Sequence, residues 1–411
     1  MNLLAPITHK AKTTWYGLRM QGIKQAGRVI TTLMRKPDVF VGPGSAQLLC
    51  DSIIGRKPER LLLVTDAQLQ KVGLISPLID RLQQGGVTVT VFEDILPDPD
   101  VEQIEAGLRA LKRNHCTAVL AVGGGSVMDA AKMIAARATN DRSVEAMMGM
   151  FRVRHAPVPM YMLPTTAGTG SEISIGAVIT DKAGQRKIPV IDFKLLPNQL
   201  ALDGRLMLGL PASITAATGM DALTHAVEAY ISKIATSESD HAAREAVALI
   251  VQHLPKVYEN GKDESARQMM AWASFRAGSA MTQAGVGYVH AIAHTLGGRY
   301  HVPHGIANAV VLPHVLRFSL SSCADRLADL AVAGNLGTRS LGSLALAERL
   351  IRHIEALLPA LGLPTTIAAM RAEDIDTMVP IALTEAHQTY AVPRYMTPSQ
   401  CALLYQALLP A

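Results

Sequence analysis

The feature that most constrains this chain is a change of rhythm near residue 210. Before it, short β-branched runs alternate with helical segments: Arg60 to Asp66 reads RLLLVTD, Val87 to Phe92 reads VTVTVF, and Thr117 to Val122 reads TAVLAV. Strands that return only after a helix must lie parallel, so the region from about 38 to 210 is expected to form a mainly parallel sheet covered by helices. Pro99 to His115 has apolar residues at helical spacing, an acidic start and a basic end, which suits a crossover helix. After Leu210-Pro211 strand-like runs nearly vanish. Ala242 to Leu254 and Leu344 to Leu361 keep helical periodicity, so 211–411 is expected to be all helix. The chain has 411 residues, more than one core usually organises, and two domains follow from length as well as from pattern.

A third segment precedes these two. Residues 1–37 carry seven basic side chains (Lys10, Lys12, Arg19, Lys24, Arg28, Arg35 and Lys36) and no acid, which reads as a basic extension packed on a domain; an organelle transit peptide has similar composition. Without this arm the rest of the chain is close to neutral despite the overall charge of +5, so the basicity does not point to nucleic acid. No apolar run reads as a membrane span, and the start lacks a signal-peptide pattern. Cys50, Cys116, Cys323 and Cys401 lie far apart with no C-x-x-C pair, which suggests neither a disulfide framework nor a thiolate zinc site. A cytoplasmic protein without a membrane is the expectation.

Two clusters carry chemistry. Thr117 to Val122 runs into Gly123-Gly124-Gly125-Ser126 and then into the helical Val127 to Ala136. Glycines at a strand-to-helix turn let backbone N–H groups approach a phosphate, and the helix dipole favours an anion there. A tight turn without ligand fits the same residues, and the run is not the G-x-G-x-x-G fingerprint. Asp66 ends a strand, where a carboxylate can accept from the ribose hydroxyls of a dinucleotide; a helix cap is the plainer role. Pro164 to Glu172 (PTTAGTGSE) is a loop of hydroxyls and glycines after another strand.

The second cluster begins with Asp221 and His225, an i, i+4 pair on one helix face. His290 and His294 repeat the spacing, and His304 follows in a turn-like segment before another helix. One carboxylate with imidazoles makes a site for a divalent ion such as Fe(II) or Zn(II) with room for a substrate oxygen. A lone histidine on an apolar helix is usually a core residue. His290, His294 and His304 within fifteen positions, beside a paired carboxylate, weigh against that.

In order along the chain, GGGSVMDAAK, PTTAGTGSE, GMDALTHAVEAY and VHAIAHTLGGRYHVPHG resemble the iron-containing (group III) alcohol dehydrogenases, a family that includes lactaldehyde reductases and butanol dehydrogenases. The resemblance runs from about residue 38 to the C-terminus. It implies an α/β nucleotide-binding domain, a helical metal domain in a dehydroquinate-synthase-like architecture, NAD with Fe(II) or Zn(II), a small alcohol or aldehyde as substrate, and a homodimer or larger homo-oligomer. Asp221, His225, His290 and His304 correspond to the four ligands, and His294 to a nearby histidine able to move a proton. Gly124, Gly125, Ser126 and Asp129 correspond to the pyrophosphate cradle, Thr165, Thr166 and Thr169 to a second cofactor loop, and Lys187 to a lysine near the cofactor. Pro97-Asp98-Pro99 replaces the frequent Pro-Asn-Pro, so a cofactor contact from Asp98 would be a carboxylate contact. Gly176 and Met281 stand where some relatives place Asn and Phe against the substrate. A dehydroquinate-synthase-like NAD/metal lyase and a non-catalytic NAD-binding protein are the alternatives.

Overall fold

The computed structural model describes residues 36–181 and 186–410, so the basic side chains up to Arg35 lie outside the described residues. Six parallel strands form the main sheet: β1 (Asp38–Val41), β2 (Arg60–Val64), β3 (Thr88–Phe92), β4 (Ala118–Gly123), β6 (Met160–Pro164) and β9 (Gln199–Leu202). Their order is β1-β9-β6-β4-β2-β3. The inner strands β2, β4 and β6 are apolar on both faces, and side-chain alternation sends neighbours to opposite layers. Leu62, Val64, Val119, Ala121, Met160, Met162, Leu200 and Leu202 enter one core. Leu61, Leu63, Ala118, Leu120, Val122, Tyr161, Leu163 and Ala201 enter the other, beneath helix Ser45–Arg56 and helix Ser76–Gln84.

The crossover helix expected at 99–115 is Val101–Arg113. Asp100 and Gln103 close a reciprocal capping box at its start, with Glu102 in the first turn and Lys112 and Arg113 in the last. Beside the main sheet stands a smaller one that the parallel reading did not include: β5 (Gly149–Met150), β8 (Arg186–Ile191) and β7 (Gly176–Asp181), with β7 and β8 antiparallel.

From Ala212 onward the described residues form α-helices and short 3-10 turns. Helix Ala212–Ile231 is buried along most of its length and packs against helices Ser237–Glu259, Glu264–Ala284 and His304–Ala333. The core that holds Leu62 and Val119 also holds Leu223, Val247 and Leu312, so apolar packing is continuous from the sheet into the helices. His304–Ala333 is long and apolar enough to cross a membrane by length and composition, unlike the sequence reading, and 61% of its most apolar window is buried within the protein.

Candidate active site

The strand order fixes where the first half of the site lies. The chain leaves β2 toward β3 at one edge and leaves β4 toward β6 in the other direction, so the carboxyl ends of adjacent β2 and β4 flank a topological switch point. Thr65 joins the two ends by donating its hydroxyl to the Val122 carbonyl at 2.9 Å. Asp66 and the Gly123–Ser126 turn emerge here. Helix Gly125–Thr139 begins at the turn with no side-chain cap on its first N–H groups, which leaves them for an anion.

β4 and β6 end in register, Gly123 opposite Pro164, so the 164–172 loop leaves beside the turn. A Cβ on Gly125 would stand 2.7 Å from Thr169 Cγ2, and one on Gly124 3.4 Å from Thr166 Cγ2. Gly125 is therefore needed for the loop to close over the turn, whereas a Cβ on Gly124 would meet the loop at ordinary contact distance. The buried Thr166 hydroxyl has no partner, as expected of a group aimed at a ligand.

Asp129 is placed differently from a direct cofactor contact. One carboxylate oxygen accepts from Ser171 Oγ at 2.5 Å and the other from the Val178 N–H at 2.9 Å. One turn on, buried Lys132 donates to the Ser174 carbonyl, the Ser174 hydroxyl and the Gly176 carbonyl at 2.7 to 3.0 Å. Burial lowers the Lys132 ammonium to about 8, against the opposing pull of Asp129 and Glu172. The pair braces the 171–178 segment. Asp98, at φ 59, spends its carboxylate on Lys187 Nζ at 2.5 Å, while its N–H donates to Ser126 Oγ at 3.2 Å. Asp66 caps helix Ala67–Lys71 by accepting from the Leu69 N–H at 3.0 Å.

The same loop reaches the second half of the site. Gly168 lies against Thr218, and Gly170, at φ +62, lies against Gly278, where Cβ atoms would come within 2.5 and 2.6 Å of their neighbours. Thr218 sits less than one turn before Asp221 on helix Ala212–Ile231. Gly305 permits another close approach, since its Cβ would stand 2.3 Å from the Ala217 carbonyl oxygen, and this brings His304 to Asp221. His304 opens helix His304–Ala333 rather than preceding it.

Asp221, His290 and His304 bring ligand atoms within 4.8 Å of one another. Asp221 Oδ1 is 3.9 Å from His290 Nε2, 3.6 Å from His304 Nε2 and 3.8 Å from His225 Nε2. His225 stacks on His290, ring centroids 4.8 Å apart, and its buried Nδ1 has no partner. Glu228 Oε2 accepts from the Nδ1–H of His290 at 2.6 Å, which leaves the Nε2 lone pair on the Asp221 side. Its other oxygen accepts from the Val289 N–H at 2.8 Å. His294 stacks on His304 at 5.5 Å, and its Nδ1 meets Glu385 Oε1 at 2.7 Å, which also accepts from Tyr390.

Electrostatics prepare the donors for a cation. Burial lowers His290 well below the usual imidazole range and His304 to about 3, so both are neutral at neutral pH. Burial alone would raise Asp221, but His225, His304, His290 and the Asn308 amide outweigh it and hold the carboxyl below its ordinary range. Burial lifts Glu228 to about 7, partly offset by the Val289 and Gly287 N–H groups. A carboxylate beside neutral imidazoles fits a divalent metal.

Glu228, Glu385, Asn308 and Lys132 were not singled out from sequence. Glu228 lies seven residues after Asp221 and Asn308 four after His304, so helical spacing could have flagged both. Glu385 is 91 residues from His294 and has no local signal.

The family model for iron-containing alcohol dehydrogenase matches residues 37–204, and that for the C-terminal part of the Fe-containing alcohol dehydrogenase family matches 215–409. The NAD-dependent methanol dehydrogenase of Bacillus methanolicus is 37% identical over 382 residues, covering 92% of this chain and 100% of the relative. The 1,3-propanediol dehydrogenase of Citrobacter freundii is 38% identical over 82% of this chain and 88% of its own. Among solved structures, an alcohol dehydrogenase from Oenococcus oeni superposes with a TM-score of 0.88 at 31% identity, over 91% of this chain and 99% of that one. With both halves matched in order and a relative covered from end to end, this chain belongs to the iron-containing alcohol dehydrogenase family.

Proposed function

We propose that the protein is a metal-dependent, NAD-linked alcohol dehydrogenase that interconverts a small primary alcohol and its aldehyde. The observation that carries this reading is the convergence of Asp221, His290 and His304 within 4.8 Å, joined through one loop to an uncapped helix N-terminus at a sheet switch point. In this reading Asp221, His225, His290 and His304 hold Fe(II) or Zn(II). Gly124, Gly125, Ser126 and Thr166 receive the pyrophosphate, Thr165 and Thr169 shape the loop over it, and Asp66 meets the adenosine ribose. Asp98 and Lys187 act as a pair beside Ser126, and Asp129 works through Ser171. When bound, the ion would supply Lewis-acid polarisation for an alcohol oxygen and the nicotinamide would supply the hydride acceptor. His294 receives the hydroxyl proton at Nε2, because Glu385 keeps the other ring proton on Nδ1.

The relatives support the substrate class, since their names specify methanol and 1,3-propanediol. They are dehydrogenases, which favours this reading over a dehydroquinate-synthase-like lyase or a non-catalytic protein. The gap between the two family matches supports a division into 38–210 for NAD and 211–411 for metal and substrate. A cytoplasmic homo-oligomer completes the reading, to be checked by fractionation and sedimentation.

The direct test is absorbance of reduced nicotinamide with a panel of short alcohols and aldehydes, with protein stripped of metal and then given Fe(II) or Zn(II). Turnover that depends on the added ion is expected. Full turnover by stripped protein would overturn the metal part, and no NAD binding by calorimetry would overturn the nucleotide part.

A further inference from the structure

Asn308 lies one turn beyond His304 on the same face of helix His304–Ala333, and it is fully buried. Its Nδ2 donates to Asp221 Oδ1 at 2.7 Å and stands 3.2 Å from His290 Nε2 and 3.1 Å from His304 Nε2. These are the three atoms that come within 4.8 Å of one another as candidate ligands. At the other end of the same amide, Oδ1 is buried with no partner. The nitrogen end therefore sets the orientation of the group. Turned over, the amide would aim its oxygen at a carboxylate and two imidazole lone pairs, so only this orientation pairs donor with acceptors.

We propose that the Asn308 amide is a placeholder for the metal, holding the ligand atoms together before an ion arrives and yielding its position on loading. This rests on the reading of Asp221, His290 and His304 as ligands. The chemistry supports exclusion of one by the other. An amide N–H carries a partial positive charge that satisfies lone pairs, but the nitrogen's own pair is delocalised into the carbonyl and cannot bind a metal. Two N–H bonds also face three acceptors, so at least one lone pair is always poorly served, and a divalent ion serves all of them at once. Without a placeholder, a buried carboxylate and lone pairs would face one another in the empty cluster, which favours its opening.

The test compares the parent with Asn308→Ala and Asn308→Asp, each stripped by chelation and titrated with Co(II). Thermal melting reports the metal-free state, and the visible cobalt bands report the ligand set. Metal-free Asn308→Ala should melt several degrees below the parent, gain more from Co(II) than the parent gains, and bind Co(II) at least as tightly. Asn308→Asp places a second carboxylate beside Asp221, so its metal-free form should melt lower still while its Co(II) Kd tightens about tenfold. Metal-free variants that melt with the parent would overturn the placeholder. So would tenfold weaker Co(II) binding by Asn308→Ala, since Asn308 would then support the loaded site. If Asn308→Ala does not fold, Asn308→Asp, of nearly equal volume, decides alone. Absence of cobalt bands in the parent, or bands unchanged in His304→Ala, would instead refute the ligand reading and the placeholder with it.

Discussion

The turn proposed for the pyrophosphate and the cluster proposed for the metal lie at two ends of one loop but are built from different parts of the residue. At Gly123–Ser126 the useful groups are backbone N–H donors, and the side chains nearby serve as scaffold: Asp129 and Lys132 support the loop, and Thr65 pins β2 to β4. At Asp221 the useful groups are all side chains, and the scaffold is a further ring of side chains, Glu228 behind His290 and Glu385 behind His294. A backbone site tolerates exchange of most side chains provided that glycine remains where contacts are close. A side-chain site fails when any single group is lost. The comparison can be broken by changes that disable one end without touching the other.

The largest expected effect is at His304. His304→Ala removes one of three converging ligand atoms, and turnover should fall by about a thousandfold or more with loss of the bound ion, while NAD affinity changes less than about threefold. Metal analysis and calorimetry with NAD on the same sample check this. An equal loss of both affinities would mean that the loop couples the two ends so tightly that they are one site.

His294→Ala should keep the metal and lower turnover on the order of a hundredfold, because it removes a proton carrier and leaves the ligand atoms in place. Loss of metal in this variant would make His294 a ligand. Unchanged turnover would make it packing.

Glu228→Gln tests the scaffold of the side-chain end. The two Glu228 oxygens serve two donors, the Val289 N–H and His290 Nδ1, and glutamine offers one acceptor oxygen for both. Metal affinity should fall roughly 10- to 100-fold, as losses of such supporting carboxylates generally cost, with NAD binding unchanged. Competition titration with a chelator measures it.

Protons should compete for the metal through Glu228 more than through the imidazoles. An imidazole of ordinary pKa takes up a proton below about 6.5 and loses about tenfold in metal affinity per further pH unit. His304 is lowered to about 3, so it adds little between pH 6.5 and 5, whereas Glu228, which supports His290, is lifted to about 7 and takes up a proton across that window. Zn(II) affinity should therefore fall there with a slope of about one group, and Glu228→Gln should flatten it. A slope well above one in the parent would show that the histidines titrate as well.

This contrast also explains what could be read from sequence. Continuous apolar runs such as RLLLV fix both faces of a buried parallel strand, and GGGS is legible because backbone chemistry leaves its mark as glycine. Asp221, His225, His290 and His294 were legible because helical spacing is local. The β7–β8 hairpin was not, because its second strand, RKIPVI, has a central proline and a basic start that mask the apolar alternation. Nor could the motif GGGSVMDAAK reveal that Asp129 and Lys132 face the 171–178 segment instead of a cofactor, since their partners lie 42 to 49 residues away. Asn308 and Glu385 act on groups brought near only by the packing of helices.

The smallest expected effect concerns cofactor choice at Asp66, where the backbone end relies on one charged side chain. Its carboxylate accepts from the Leu69 N–H at 3.0 Å, so cap and cofactor contact share one group. If the adenosine ribose lies against it, a 2′-phosphate with nearly two negative charges would meet a carboxylate, and NAD is preferred. Asp66→Asn separates the two roles: asparagine caps a helix about as well as aspartate, so stability should hold, while the charge is gone. Removing one like charge at contact distance near a protein surface is worth about a kcal/mol or slightly more, so the ratio of kcat/KM for NAD over NADP should fall roughly tenfold. Most of that change should appear as improved KM for NADP, because the chemistry occurs at the far end of the cofactor. A ratio that stays constant while the melting temperature also stays constant would leave Asp66 a helix cap alone, and the preference would then be set by another part of the turn.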